Sequence, residues 1–391
     1  MHSATAVVTD RETRRFTLDG NPELEARLAE VCAQVRRAVL RLVPARQLDG
    51  LVLGGGYGRG EGGVRSIVEG EAPYNDMEFY VFLRGNRLWN DRRYSPLLRQ
   101  LAEELSPAAK LHVEFKVESL PRLRRSAVSM FSYDLVSRSR RVFGAENLFD
   151  GCDQHLEARN ITAADATRLL FNRCTGLLLA KEILSQPLLT EDDTDFVARN
   201  LAKVQLALGD AVLTVFGSYH WSCRERHERL QTFSCPDAPP WLAQVQRHHT
   251  AGVRFKLHPR SEAVPDDLVE AHRDLCELAL EVWLWLENRR LNRSFYNVRD
   301  YALSPVRKCS ESASWRNYLL TLRTFGPKAV FGRPARSYPR ERLLNTLPLF
   351  LSAEISAEPD LVHYLQEQLH TTAGEWTGLV KAYKRVWAGY G

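Results

Sequence analysis

No apolar run in this 391-residue chain approaches the length of roughly 18 residues that a membrane-spanning helix requires. The opening MHSATAVVTDRETRR also lacks the apolar core of a signal peptide. A cytoplasmic protein without a membrane partner is therefore expected. The seven cysteines form no C-x-x-C pair and are odd in number, which speaks against a zinc ribbon or a closed disulfide framework and predicts reduced, mostly buried thiols. No serine or cysteine sits in a nucleophile elbow, and His220, His227, His248 and His249 show no paired-ligand spacing with nearby acids, so hydrolase chemistry has no support. Strong charge of one sign is missing too. With 53 basic and 48 acidic residues the net charge is +5, which permits a phosphate-bearing ligand without demanding nucleic acid.

What is present is an ordinary globular composition, 44% apolar and 26% charged, at a length suited to two domains or two with an appendage. From Asn21 to Pro44, the residues Leu24, Leu28, Val31, Cys32, Val35, Val39 and Leu42 recur at helical spacing. The glycine-bounded run Leu51, Val52, Leu53 and the segment Met77 to Leu83 read as strands, and residues 94 to 106 as a helix. KLHVEFKVESL alternates, with Leu111, Val113, Phe115 and Val117 on one face and His112, Glu114, Lys116 and Glu118 on the other. Beyond about residue 160, three long segments carry helical periodicity with acidic first turns. The expected division is 1–150, 151–300 and 301–391, giving an α+β amino-terminal part followed by a mostly helical bundle with a helical and loop extension packed on it.

Two short stretches carry the chemistry. LGGGYGRGEGG (53–63) satisfies the dinucleotide pattern through Gly58, Gly60 and Gly63, but VRSIVEGEAPYN contains Gly70 and Pro73 and leaves no room for the helix that pattern needs. No G-K-[ST] follows, which excludes a Walker loop. In DMEFYVF, Asp76 and Glu78 are two residues apart, so on a strand they share a face at roughly 7 Å. Two carboxylates so placed repel unless a cation lies between them, and oxygen-seeking Mg²⁺ is the natural one. The plain alternative is a flexible connection followed by solvated strand-edge acids.

An apolar strand, a G-[GS] turn extended as x-x-R-G and a D-x-[DE] strand together resemble the DNA polymerase beta-type nucleotidyltransferase superfamily, in its small stand-alone form with a helical carboxy-terminal domain. Here Gly55, Gly56, Arg59 and Gly60 supply the turn, and Asp76 and Glu78 the acids. Gly56 stands where serine is commoner. The resemblance covers residues 25 to 150 and ends in an apolar-Gly pair within DLVSRSRRVFGAENLF. It implies a nucleotidyltransferase fold, a mixed sheet with flanking helices. It also implies Mg²⁺, or Mn²⁺ in its place, held by Asp76, Glu78 and a third acid on a later strand that serves the acceptor hydroxyl. Glu114, in mid-strand, is preferred over Glu118 for that role. The nucleotide would be an NTP, ATP by default, bound at Gly55, Gly56 and Arg59, and the acceptor a small molecule.

In the helical half, Arg199, Lys203 and Asp210 fall near one stripe, with Asn200 beside it. They form a solvated face, or else Arg199 and Lys203 meet the triphosphate or acceptor. Asn172 and Arg173 lie inside an apolar helix, where buried polar groups would need partners. The basic segment 323–342 reads as a solvated loop or as a docking site for RNA or a phosphorylated substrate. A nucleotide- or RNA-binding protein without transfer activity, and a nucleotidyl modifier of protein or RNA, remain alternatives.

Overall fold

A computed structural model describes residues 15–236, 238–259, 265–309, 312–352 and 358–391. The architecture is mixed α+β, predominantly helical with a small mixed sheet. The chain divides into two units, one of Met1–Thr162, Phe216–Phe233 and Val253–Arg260, the other of Ala163–Val215, Ser234–Gly252 and Ser261–Gly391. The stretch 151–300 thus contributes to both.

Helix α1 (Pro22–Leu42) starts where Asn21 Oδ1 accepts the Leu24 N–H at 2.8 Å, with proline in the first position and Glu23 and Glu25 in the first turn. Its stripe of Leu24, Leu28, Val31, Cys32, Val35 and Val39 is buried as the spacing predicts. Each such side chain contributes about 1.5–3 kcal/mol when fully removed from water. There follow β1 (Leu48–Leu53), the short helix α2 (Gly55–Arg59), a hairpin of β2 (Val64–Ile67) and β3 (Gly70–Pro73), and β4 (Met77–Leu83). Then come α3 (Arg87–Ala109), β5 (Val113–Glu118), α4 (Leu120–Leu123), α5 (Met130–Arg138) and β6 (Arg140–Gly144). The α3 helix begins seven residues before the expected start because the Asn86 side chain caps it, accepting from Leu88 N at 2.9 Å. The segment too short for a dinucleotide-fold helix is the β2–β3 hairpin.

The main sheet has the order β5-β4-β1-β6, with β1 antiparallel to β4 and β6 and β4 parallel to β5. A parallel pair needs a long crossover, which α3 supplies. One face, with Leu51, Leu53, Met77, Phe79 and Val81, packs in one core with α1. On the other, Val52, Tyr80 and Phe82 pack with Leu120, Leu123 and Leu135.

After this unit come α6 (Ala163–Leu184) and α7 (Glu191–Val215), then α8 (Cys223–Gln231), which belongs to the first unit. They are followed by α9 (Leu242–Leu257), α10 (Pro265–Leu291), α11 (Val298–Leu303), α12 (Ser314–Phe325), α13 (Pro339–Leu351), α14 (Pro359–Leu369) and α15 (Trp376–Tyr390). Three expectations change here. Asp210 does not share a solvated stripe but is buried 3.6 Å from the buried His249. Asn172 and Arg173 are half-buried rather than enclosed. The 323–342 segment is no solvated loop throughout, because Arg342 is 1% exposed and donates from Nη2 to Pro334 O at 2.7 Å. Among the described residues no helix is long and apolar enough to cross a membrane.

Candidate active site

The glycine run is built around close approach. Gly54 N–H donates to Glu78 O at 2.8 Å, pinning the end of β1 to β4. Gly55 then takes φ +60°, a conformation that disfavours a side chain, and the place its Cβ would occupy is 3.4 Å from Glu78 Oε1. The turn therefore lies directly against the Glu78 carboxylate. At position 56, a Cβ would meet Glu61 O at 3.0 Å. That crowding gives a local reason for glycine where the resembled family more often has serine.

α2 follows, and the first N–H groups of such a turn have no acceptor within the helix. Tyr57 is fully buried under it, donating to Gly63 O and accepting from Tyr74 N, both at 2.9 Å. Burial pushes its phenol up to about 12, with nearby Asp76 adding to the effect. Asp76 itself is exposed immediately before β4.

Parallel pairing of β4 with β5 sets Glu78 opposite Glu114 and Tyr80 opposite Lys116. Sequence reasoning placed Glu114 on a polar face but did not supply this register. Lys116 Nζ lies 3.2 Å from Glu114 Oε2 and 3.7 Å from Glu78 Oε2, so one ammonium bridges the two acids. Tyr80 donates to Glu78 Oε2 at 2.7 Å. Burial, followed by Glu78, pushes the Tyr80 phenol well above its usual range, keeping it a donor. Both Lys116 and Tyr80 were overlooked as site residues, although Tyr80 stands two residues after Glu78 and Lys116 two after Glu114.

Arg59, expected at the nucleotide, is engaged by a carboxylate of the protein. Its Nη1 pairs with Asp134 Oδ2 at 2.9 Å, with both side chains mostly buried, and Tyr219 O–H reaches the same oxygen at 3.4 Å. Burial, the largest influence, opposes the Arg59 charge, but Asp134, Tyr219 and Glu61 together outweigh it and leave the pKa above its ordinary value. Glu61, 3% exposed, accepts from Ser222 Oγ at 2.5 Å and from Cys223 N–H at 2.8 Å. Burial works to raise its pKa, yet Lys256 and these donors bring it below the usual carboxylate range. Arg199 and Lys203 lie on α7 in the other unit, Arg199 at 3.8 Å from Asp195 and Lys203 exposed.

The donor set around the turn is all oxygen, which suits a hard divalent cation. Among the described residues, no three His, Cys, Asp or Glu side chains converge as a metal cage. With Lys116 between Glu78 and Glu114, the residues that could hold such an ion are Asp76 and Glu78, since Mg²⁺ is commonly held by one or two carboxylates plus substrate phosphates. No protein-family model matches the chain, and no curated protein matches it significantly.

Proposed function

We propose that this chain is a Mg²⁺-dependent nucleotidyltransferase that moves an NMP from an NTP to a hydroxyl of a small-molecule acceptor and releases pyrophosphate. The observation that carries the reading is the juxtaposition of the Gly55 turn, the Glu78 carboxylate against it and Glu114 at the paired position of the next strand. Gly55 and Gly56 present backbone N–H groups to the triphosphate. Asp76 and Glu78 hold Mg²⁺, or Mn²⁺ in its place, which when bound neutralises phosphate charge. Glu114 accepts the proton of the acceptor hydroxyl as its oxygen bonds to the α-phosphorus and the bond to pyrophosphate breaks. Arg59, at the end of the turn helix and engaged by Asp134, adds positive charge beside the triphosphate.

Lys116 favours a second reading, nucleotide binding without transfer, because it already neutralises two of the three acids. Incubation with each labelled NTP, Mg²⁺ and a metabolite pool separates the two. Pyrophosphate should appear with the wild type and fall by roughly a thousandfold in Asp76→Asn, as for loss of a key electrostatic group. Release that survives Asp76→Asn sinks the transfer mechanism, and retained NTP without any pyrophosphate supports the binding reading.

A further inference from the structure

A second charged hollow lies in the same unit, between α1 and the edge strand β6. Its volume is about 570 Å³, within the usual range of small-molecule sites. Ala29 and Ala33 on α1 leave the space, and Phe16 and Val142 give it an apolar wall. Arg15, Arg36, Arg140 and Arg141 surround it, against Glu25 as the one acid in its lining.

That acid is already used. Its two oxygens accept the Phe16 N–H at 2.8 Å, the Thr17 N–H at 2.9 Å and the Thr17 hydroxyl at 2.5 Å, and Arg15 stands 4.0 Å away. Burial pushes the Cys32 thiol up to about 12, so it adds no negative charge. Arg140 Cζ sits over Phe16, 3.8 Å from the ring centroid, and its Nη2 donates to Arg15 O at 2.9 Å. Arg141 reaches the exposed Glu146 through Nη2 at 3.2 Å, while its Nη1 is buried without a hydrogen-bond partner. Arg36 is exposed on the α1 rim and has no ion-pair partner among the described residues. Clustered guanidinium groups repel each other, and an unpaired buried donor is costly. A multiply charged oxyanion relieves both, since the guanidinium fork matches phosphate and carboxylate oxygens two at a time.

We infer that the α1–β6 hollow is a binding site for a small polyanion, with Arg36 and Arg141 as its principal contacts. The ligand class is a small molecule with phosphate or clustered carboxylate groups and an apolar portion that rests on Phe16 and Val142. The site shares no residue with the Gly55 turn or its acids. α1 packs on the sheet face that carries Met77 and Phe79, whereas Glu78 and Glu114 point to the opposite face. A ligand here is therefore an effector or a separate substrate, bound independently of the divalent cation.

The test is calorimetric titration of the full chain, stripped of divalent cations on a chelating resin and held in chelator-free buffer, with inorganic pyrophosphate and, separately, citrate, which distinguishes phosphate from carboxylate recognition. Wild type and Glu78→Gln should bind at least one probe alike. Arg36→Ala, whose side chain has no ion-pair partner among the described residues, should weaken it roughly tenfold, and Arg36→Ala with Arg141→Ala by roughly a hundredfold. The double variant is checked for an unchanged circular dichroism spectrum and melting curve. Absence of binding of both probes to the wild type up to millimolar concentration overturns the proposal. So does binding that persists in Arg36→Ala with Arg141→Ala, or that is lost equally in Glu78→Gln.

Discussion

Glu78 in the first unit and Glu287 in the second are both glutamates set among cations and phenols, yet they are used differently. Glu287 is fully buried, and both its oxygens are filled: Thr167 Oγ1 and Arg290 Nε at 2.6 Å on one, Arg290 Nη2 at 2.6 Å and Tyr301 O–H at 2.9 Å on the other. Nearby Lys308 is 2% exposed, donates to Asn345 Oδ1 at 2.6 Å and is pushed down to about 8 by burial. Glu78 keeps about a third of its side chain in solvent, and on Oε2 it has one hydroxyl donor and an ammonium at 3.7 Å. A buried carboxylate with every lone pair used has no capacity left for a ligand, whereas one about a third in solvent has. The difference assigns Glu287 to stability and leaves Glu78 available for chemistry.

That contrast can be broken at its strongest point first. Glu287→Ala removes the carboxylate that, among the described residues, pairs with Arg290, and should cost about 3–5 kcal/mol of unfolding free energy by chemical denaturation. A loss under about 1 kcal/mol would mean that the network is not structural.

Glu61 comes next, a structural carboxylate within the first unit. Its folded pKa is lowered, so the stability it contributes is present above the unfolded carboxylate range and is lost as pH falls through the folded value. Between about pH 5 and pH 3 the wild type should therefore lose more stability than Glu61→Gln, measured as melting temperature against pH. Parallel pH profiles would remove Glu61 from the structural class.

The smallest effect on folding is expected at Lys116, which is 44% exposed. Exposed ion pairs contribute little, so Lys116→Met should change stability by no more than about 0.5 kcal/mol. The same substitution should tighten Mn²⁺ binding, followed by electron paramagnetic resonance, because the ammonium no longer sits between Glu78 and Glu114. Weaker Mn²⁺ binding in Lys116→Met would show that the lysine orders the acids rather than competing for them.

The parts of this molecule that depend on local pattern were legible in its sequence. Strand Met77–Leu83 has the expected bounds, Val113, Phe115 and Val117 alternate with Glu114 and Lys116, and the long helical segments are helices. What could not be read depends on partners far away in the chain. The Glu78–Glu114 pairing is a matter of register across a crossover, and the Arg59–Asp134 pair spans 75 residues. Burial of Asp210 and Arg342 likewise depends on which helices cover them, which periodicity does not specify. The short α2 helix escaped notice because four of the six residues from Gly55 to Gly60 are glycine, the poorest helix former after proline.

Strand β5 lies at the margin of the sheet, with β4 as its only strand neighbour among the described residues. A marginal strand is among the first elements to detach in native-state fluctuations, since it gives up one ladder of hydrogen bonds where an inner strand gives up two. Glu114 and Lys116 travel with β5, whereas Glu78 remains on an inner strand. The charge cluster is therefore assembled across a seam, and it is intact only for as long as that seam stays closed.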